Sequence, residues 1–168
     1  MNLFKKSFVL SVLSCVIILG LCIGIQNKCF AVKRYSMEMM AESGDNKAQN
    51  ELGLYYINHK PTDYSQAKTW FEKSAVQGNG LAQNNLGLIY IDPNGPFQDY
   101  TKAKDWFNKS AEQGYTEGQY NLALLYLKGL GTPKDLSQAK LWFEKSANKG
   151  NPRSQYALGL MYGDGKGV

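Results

Sequence analysis

Cysteine is missing from everything after position 29, and the chain of 168 residues holds a single histidine, His59. The three cysteines, Cys15, Cys22 and Cys29, all fall within the first 31 residues, so the remainder has neither a disulfide framework nor thiol chemistry and is held by packing alone. His59 sits in a loop beside Pro61 with no second ligand at a recurring spacing, which leaves no histidine-based metal centre. Positive charge is also scarcer than the net +5 suggests. Removing Lys5, Lys6 and Lys28 from the 19 basic residues leaves 16 against 14 acidic ones, net +2, too little to argue for a nucleic-acid partner.

Catalytic patterns are equally thin. Ser65 and Lys68, and again Ser137 and Lys140, match a Ser-x-x-Lys arrangement used in some acyl transfers, but the intervening copy reads Thr101 to Lys104 and the companion motifs are absent. The glycine pairs Gly129/Gly131 and Gly163/Gly165 follow helical patterns rather than strands, so they form no phosphate cradle. No catalytic residue, metal ligand or cofactor is assigned, and the chain reads as a non-enzyme.

What is present begins with an export pattern over 1–31. Lys5 and Lys6 precede an uncharged apolar run from Phe8 to Ile25, then polar Gln26 and Asn27, then Cys29 and Ala31 as a small-x-small pair. Cleavage after Ala31 would release a secreted or periplasmic protein. The apolar run of 18 residues also reaches the lower bound for crossing a bilayer, so an inner-membrane anchor facing the periplasm is the alternative.

From position 45 onward the sequence repeats. AKTWFEKSAVQG at 67–78 returns as AKDWFNKSAEQG at 103–114 and AKLWFEKSANKG at 139–150, placing Trp70, Trp106 and Trp142 at intervals of 36. Between these strings lie AQNELGLYY, AQNNLGLIY, GQYNLALLY and SQYALGLMY, starting at Ala48, Ala82, Gly118 and Ser154. In the second dodecamer Ala103, Trp106, Phe107, Ser110 and Ala111 form one helical face and charges fill the other. Asp63, Asp99 and Asp135 are the expected N-caps, and Gly78, Gly114 and Gly150 the expected stops. Asn151-Pro152 suits a cap followed by proline in the first turn. Ala82, Leu86 and Tyr90 form the core face of the first helix. Ala123 stands where Gly53, Gly87 and Gly159 stand, so this site demands smallness for a close helix approach rather than positive φ. On this reading the tryptophans are core residues.

The string small-x-x-x-Leu-Gly-x-x-Tyr, a glycine-punctuated loop such as KGLGTPKDLSQAK, and then Ala-Lys-x-Trp-Phe-x-Lys-Ser-Ala-x-x-Gly resembles the Sel1-like repeat, a relative of the tetratricopeptide repeat. The resemblance implies an all-α solenoid of antiparallel helix hairpins behind an N-terminal signal or anchor segment. The expected domain runs from 32 to 168, with a partial repeat at 33–44, repeats at about 45–78, 79–114 and 115–150, and an incomplete one at 151–168, either a cap or the edge of a longer array. Cysteine-rich secreted members of the family are associated with binding or hydrolysing β-lactams, but they carry a disulfide pair in each unit, which this chain lacks.

The resemblance further implies a scaffold that binds a protein or peptide in the cell envelope or outside a bacterial cell, or a membrane-anchored regulator of an envelope complex. Membrane contact enters only through an uncleaved N-terminal segment. The face expected to receive a partner is that of the first helices: Asn50, Asn84, Tyr120 and Tyr156 in equivalent places, with Leu54, Leu88, Leu124 and Leu160 one turn later. The plainer reading of those positions is that the leucines pack between hairpins and the amides are solvated.

Overall fold

The structure is a computed structural model that describes residues 33–163 and 165. The signal or anchor segment expected over 1–31 lies outside the described residues. Among the described residues every regular element is a helix, and no helix is long and apolar enough to cross a membrane. Residues 33–42 are helical (α1). They are followed by α2 (Asn46–Asn58), α3 (Tyr64–Val76), α4 (Gly80–Ile91), α5 (Tyr100–Glu112), α6 (Thr116–Lys128), α7 (Leu136–Asn148) and α8 (Pro152–Gly163). The described residues from Met40 onward form one compact unit, which contains the array.

Local chemistry sets the helix ends. Asp45, Asp63, Asp99 and Asp135 each accept, through Oδ1, from the N–H three residues on, at 2.8, 2.9, 3.0 and 2.9 Å. Asn151 does the same for α8, accepting from Arg153 and Ser154 ahead of a first-turn proline. At the far ends Gly78, Gly114 and Gly150 take φ of +87°, +86° and +89°, where a side chain would be strained. Paired bonds close each turn around them, as in Gly78 N–H to Ala75 O and Asn79 N–H to Ser74 O. Within each hairpin the last tyrosine of the first helix offers its carbonyl to the capping aspartate: Tyr56 to Asp63, Tyr90 to Asp99, Tyr126 to Asp135.

Helices pack on their successors in chain order from α2 to α8, and α4 also meets α6 directly. This is an α-solenoid of stacked hairpins. Its core is a row of phenylalanines: Phe71, Phe107 and Phe143 are all but fully buried, each burial stabilising by about 1.5–3 kcal/mol. A Cβ placed on Gly53 or Gly87 would come within 2.5 Å of the Phe71 or Phe107 ring. The expected demand for smallness is therefore a demand made by phenylalanine. Ser74, Ser110 and Ser146, also buried, donate through Oγ to the carbonyls of Asn46, Gly80 and Thr116, fastening the end of each second helix to the start of the first.

The tryptophans depart from the expectation. Trp70, Trp106 and Trp142 are half-buried rather than core, and Lys73, Lys109 and Lys145 lie over their rings at 4.0, 4.0 and 3.9 Å. Phenylalanine, one position further round the helix, takes the inward direction and leaves the indole at the edge of the core. The lysine three residues after every tryptophan was the legible sign.

Candidate functional site

The first helices carry two kinds of contact on neighbouring positions. Gln49, Gln83, Gln119 and Gln155 donate through Nε2 to the carbonyls of Ala41, Ala75, Ala111 and Ala147, clipping each first helix to the helix before it. One residue on, Asn50 and Asn84 are buried, each 7 % exposed. Their Oδ1 atoms accept from Asn85 and Asn121 at 2.9 and 2.8 Å. The two amides expected on a face clear of the core are thus engaged in a ladder between successive hairpins. A buried carbonyl without a donor costs more than a hydrogen bond gains, which is why these amides pair.

The ladder stops at the next junction. Tyr120 stands where Asn84 does, and Ala157 where Asn121 does, so neither side can continue it. Tyr120 is half-buried, its ring 5.8 Å from that of Phe143, with the Arg153 guanidinium 6.0 Å from its face. Tyr156, by contrast, is 70 % exposed. Between α6 and α8 lies a groove of about 570 Å³ lined by Tyr120, Leu124, Arg153, Tyr156 and Leu160 among others.

The leucines lie nearer the surface than core residues. Leu54, Leu88 and Leu160 are 37 %, 40 % and 51 % exposed, and Leu124 is half-buried. Leu54 and Leu88 border a smaller cavity of about 140 Å³ together with Tyr64 and Asp92. There the Tyr64 hydroxyl donates to Asp92 at 2.7 Å. That bond, helped by the Asn94 N–H, holds the Asp92 carboxyl below its ordinary range, and the same bond raises the Tyr64 phenol.

The other sequence candidates are placed as follows. The Lys68 ammonium pairs with Glu72 at 2.7 Å and is held above its usual range by that bond. Lys140 lies 5.0 Å from the Tyr162 ring, and Ser65 and Ser137 are exposed. His59 caps the C-terminal end of α2, its Nδ1 2.9 Å from the Tyr55 carbonyl and its ring stacked on Tyr55. Among the described residues no three His, Cys, Asp or Glu side chains gather to hold a metal ion.

A helical array of this periodicity, with small residues receiving phenylalanine from the following helix, defines a tetratricopeptide-like solenoid. The Sel1 repeat matches at 46–79, 80–115, 116–151 and 152–168, and the chain belongs to that family. Sel1 repeat proteins are in general scaffolds for protein interaction. Among solved structures the chain is similar to c5321, a protective antigen of uropathogenic Escherichia coli strains with this repeat fold, at 40 % identity and a TM-score of 0.75 over 79 % of the chain. The chain spans 29 % of that antigen's length. A Sel1 repeat protein from Oxalobacter formigenes is 34 % identical, with a TM-score of 0.65 over 74 % of this chain and 95 % of its own. Helicobacter pylori cysteine rich protein B shares the fold at 19 % identity, with a TM-score of 0.61 over 74 % of this chain and 96 % of its own. No functionally curated protein matches the chain.

Proposed function

We propose that this chain is an exported scaffold that holds a peptide or an amphipathic helix of a partner protein against the exposed face of its first helices. The observation that carries the reading is the α6–α8 groove, where the polar ladder lapses and exposed Tyr156 and Leu160 stand beside Tyr120 and Leu124. Apolar side chains of a partner spaced at helical intervals would fill it, and Arg153 at its rim favours an acidic residue nearby. Export is supported by the leader pattern at 1–31, with Ala31 as the last residue removed and the envelope or the medium as the destination.

The decisive comparison uses a Tyr156→Ser, Leu160→Ser double variant, since both side chains are exposed and contribute little to the core. Wild type should capture a partner from the exporting cell's envelope or medium, and a synthetic amphipathic peptide from that partner should compete. The variant should lose at least about tenfold in affinity, on the order of 1.4 kcal/mol, at unchanged Tm. Equal capture by both proteins would sink the proposal.

A second reading, an anchored regulator of a membrane complex, is favoured by the length of the Phe8 to Ile25 run. Sequencing the mature N-terminus separates the two, because a chain beginning at Val32 has lost the anchor.

A further inference from the structure

One bond near the start of the array is not repeated further along. Tyr64, the first residue of α3, donates its hydroxyl to Oδ2 of Asp92, the C-cap of α4, at 2.7 Å, while Oδ1 accepts from the Asn94 N–H at 2.9 Å. Thirty-six residues on, the same two positions hold Tyr100 and Lys128, and the Tyr100 hydroxyl accepts from Gln98 instead. Stacking of the hairpins therefore does not require a carboxylate here. Asp92 is also an anion without a cation, since none of the ion pairs among the described residues includes it. The Tyr64 hydroxyl, together with the Asn94 N–H, keeps it ionised by holding its carboxyl below the ordinary range.

Both residues line the cavity of about 140 Å³ bordered by α2, α3 and α4, whose remaining wall is largely apolar. Phe71 and Ile89 are buried in that wall, whereas Leu54 and Leu88 are exposed and Asp92 is half-buried, so solvent reaches apolar surface and carboxylate together. An apolar wall beside one unpaired carboxylate matches a side chain with an aliphatic stem and a cationic head. Each Asp92 oxygen already accepts one hydrogen bond, which leaves each with one free lone pair. The compact ammonium of lysine needs a single such site, whereas the planar fork of arginine needs two in parallel.

We propose that this cavity receives a lysine side chain of a partner polypeptide, its stem against Leu54 and Leu88 and its ammonium on Asp92. That lysine comes from a polypeptide lying on the face of the first helices, the reading on which this site rests. The cavity shares no lining residue with the α6–α8 groove, so either site can fail without the other.

The test is a methyl NMR titration of the full chain at low ionic strength, following Leu54, Leu88 and Ile89, with N-acetyl-lysine methylamide as the probe. A saturable shift is expected, with N-acetyl-norleucine methylamide, the uncharged isostere, binding at least about tenfold more weakly. N-acetyl-arginine methylamide and n-butylamine should also bind more weakly than the lysine probe. Asp92→Asn keeps an acceptor for Tyr64 and should lower the affinity for the lysine probe by about tenfold. Asp105→Asn removes the same charge from the exposed face of α5, away from the cavity, and should leave that affinity unchanged. Absence of a saturable shift, or norleucine binding as well as lysine, would overturn the assignment on the wild-type chain alone. So would an Asp92→Asn affinity like that of wild type, or an equal loss in Asp105→Asn. Tighter binding of the arginine probe would replace lysine by arginine, and tighter binding of n-butylamine would replace the polypeptide by a free amine; either result overturns the proposal.

Discussion

The α4–α6 junction and the α6–α8 junction are built on the same positions and differ in what those positions carry. In the former, Asn121 bonds Asn84, and Gln113, the C-cap of the intervening α5, bonds Gln83. In the latter, Tyr120 and Ala157 share the lining of the groove, and Lys149, the C-cap of α7, donates to the Gly114 carbonyl. The phenylalanine row persists through both, since Phe107 and Phe143 are equally buried. The apolar core therefore defines the repeat, and the polar ties are variable additions. At the junction where the ladder stops, a groove lies between α6 and α8.

The largest expected effect contrasts one glycine position at two places. Gly87 has the Phe107 ring 2.5 Å from where a Cβ would stand, whereas Gly159 has nothing within 4 Å. Gly87→Ala should destabilise by about 1–3 kcal/mol through overpacking, and Gly159→Ala should stabilise by about 1 kcal/mol through helix propensity. Urea denaturation of both variants checks the signs; a stabilised Gly87→Ala would show that the Phe107 ring yields to the added methyl.

Next comes the ladder itself. Asn84→Ala removes the acceptor for Asn121 and should cost about 1 kcal/mol, read as a lower denaturation midpoint at unchanged m-value. No measurable cost would mean that the ladder follows from packing without supporting it.

The smallest effect lies at Tyr64 and Asp92. The Asp92 carboxyl is depressed in the folded state, so its contribution is present above the ordinary value of 3.8 and fades as pH falls through the folded pKa. The Tyr64 phenol is raised above 10.0, so its contribution is present below that value and is lost as pH climbs through the folded pKa. Tyr64→Phe removes the shared bond, so the stability gap between wild type and variant should be widest near neutrality and narrow at both extremes. A gap independent of pH would assign the effect to packing.

Much of this architecture could be read from the residues alone, because period, caps and stops are local. An aspartate before an apolar helical face and a glycine after it act within one turn, and both appear in the sequence at fixed intervals. The exchange of roles between tryptophan and phenylalanine was less visible: adjacent residues on one helix differ by about 100°, and only the approaching helix decides which points inward. The candidate site was legible as a face and illegible as chemistry. Asn50 and Asn84 resemble solvated amides until the next hairpin brings Asn85 and Asn121 beside them. Gln77 and Gln113 donate to Gln49 and Gln83, whereas Lys149 stands at the third such position and leaves Gln119 Oε1 without a partner among the described residues, a difference whose meaning appears only once α6 and α7 are side by side.

The serine bonds that join Ser74 to Asn46, Ser110 to Gly80 and Ser146 to Thr116 lie entirely inside single hairpins. Each hairpin thus brings its own fastener when the gene segment encoding it is duplicated, and a new copy needs only a matching neighbour to be accommodated. Length in such an array can change by whole units without refitting the rest, so the span of surface offered to a partner is set by counting repeats, while its chemistry is set by the few positions at which the copies disagree.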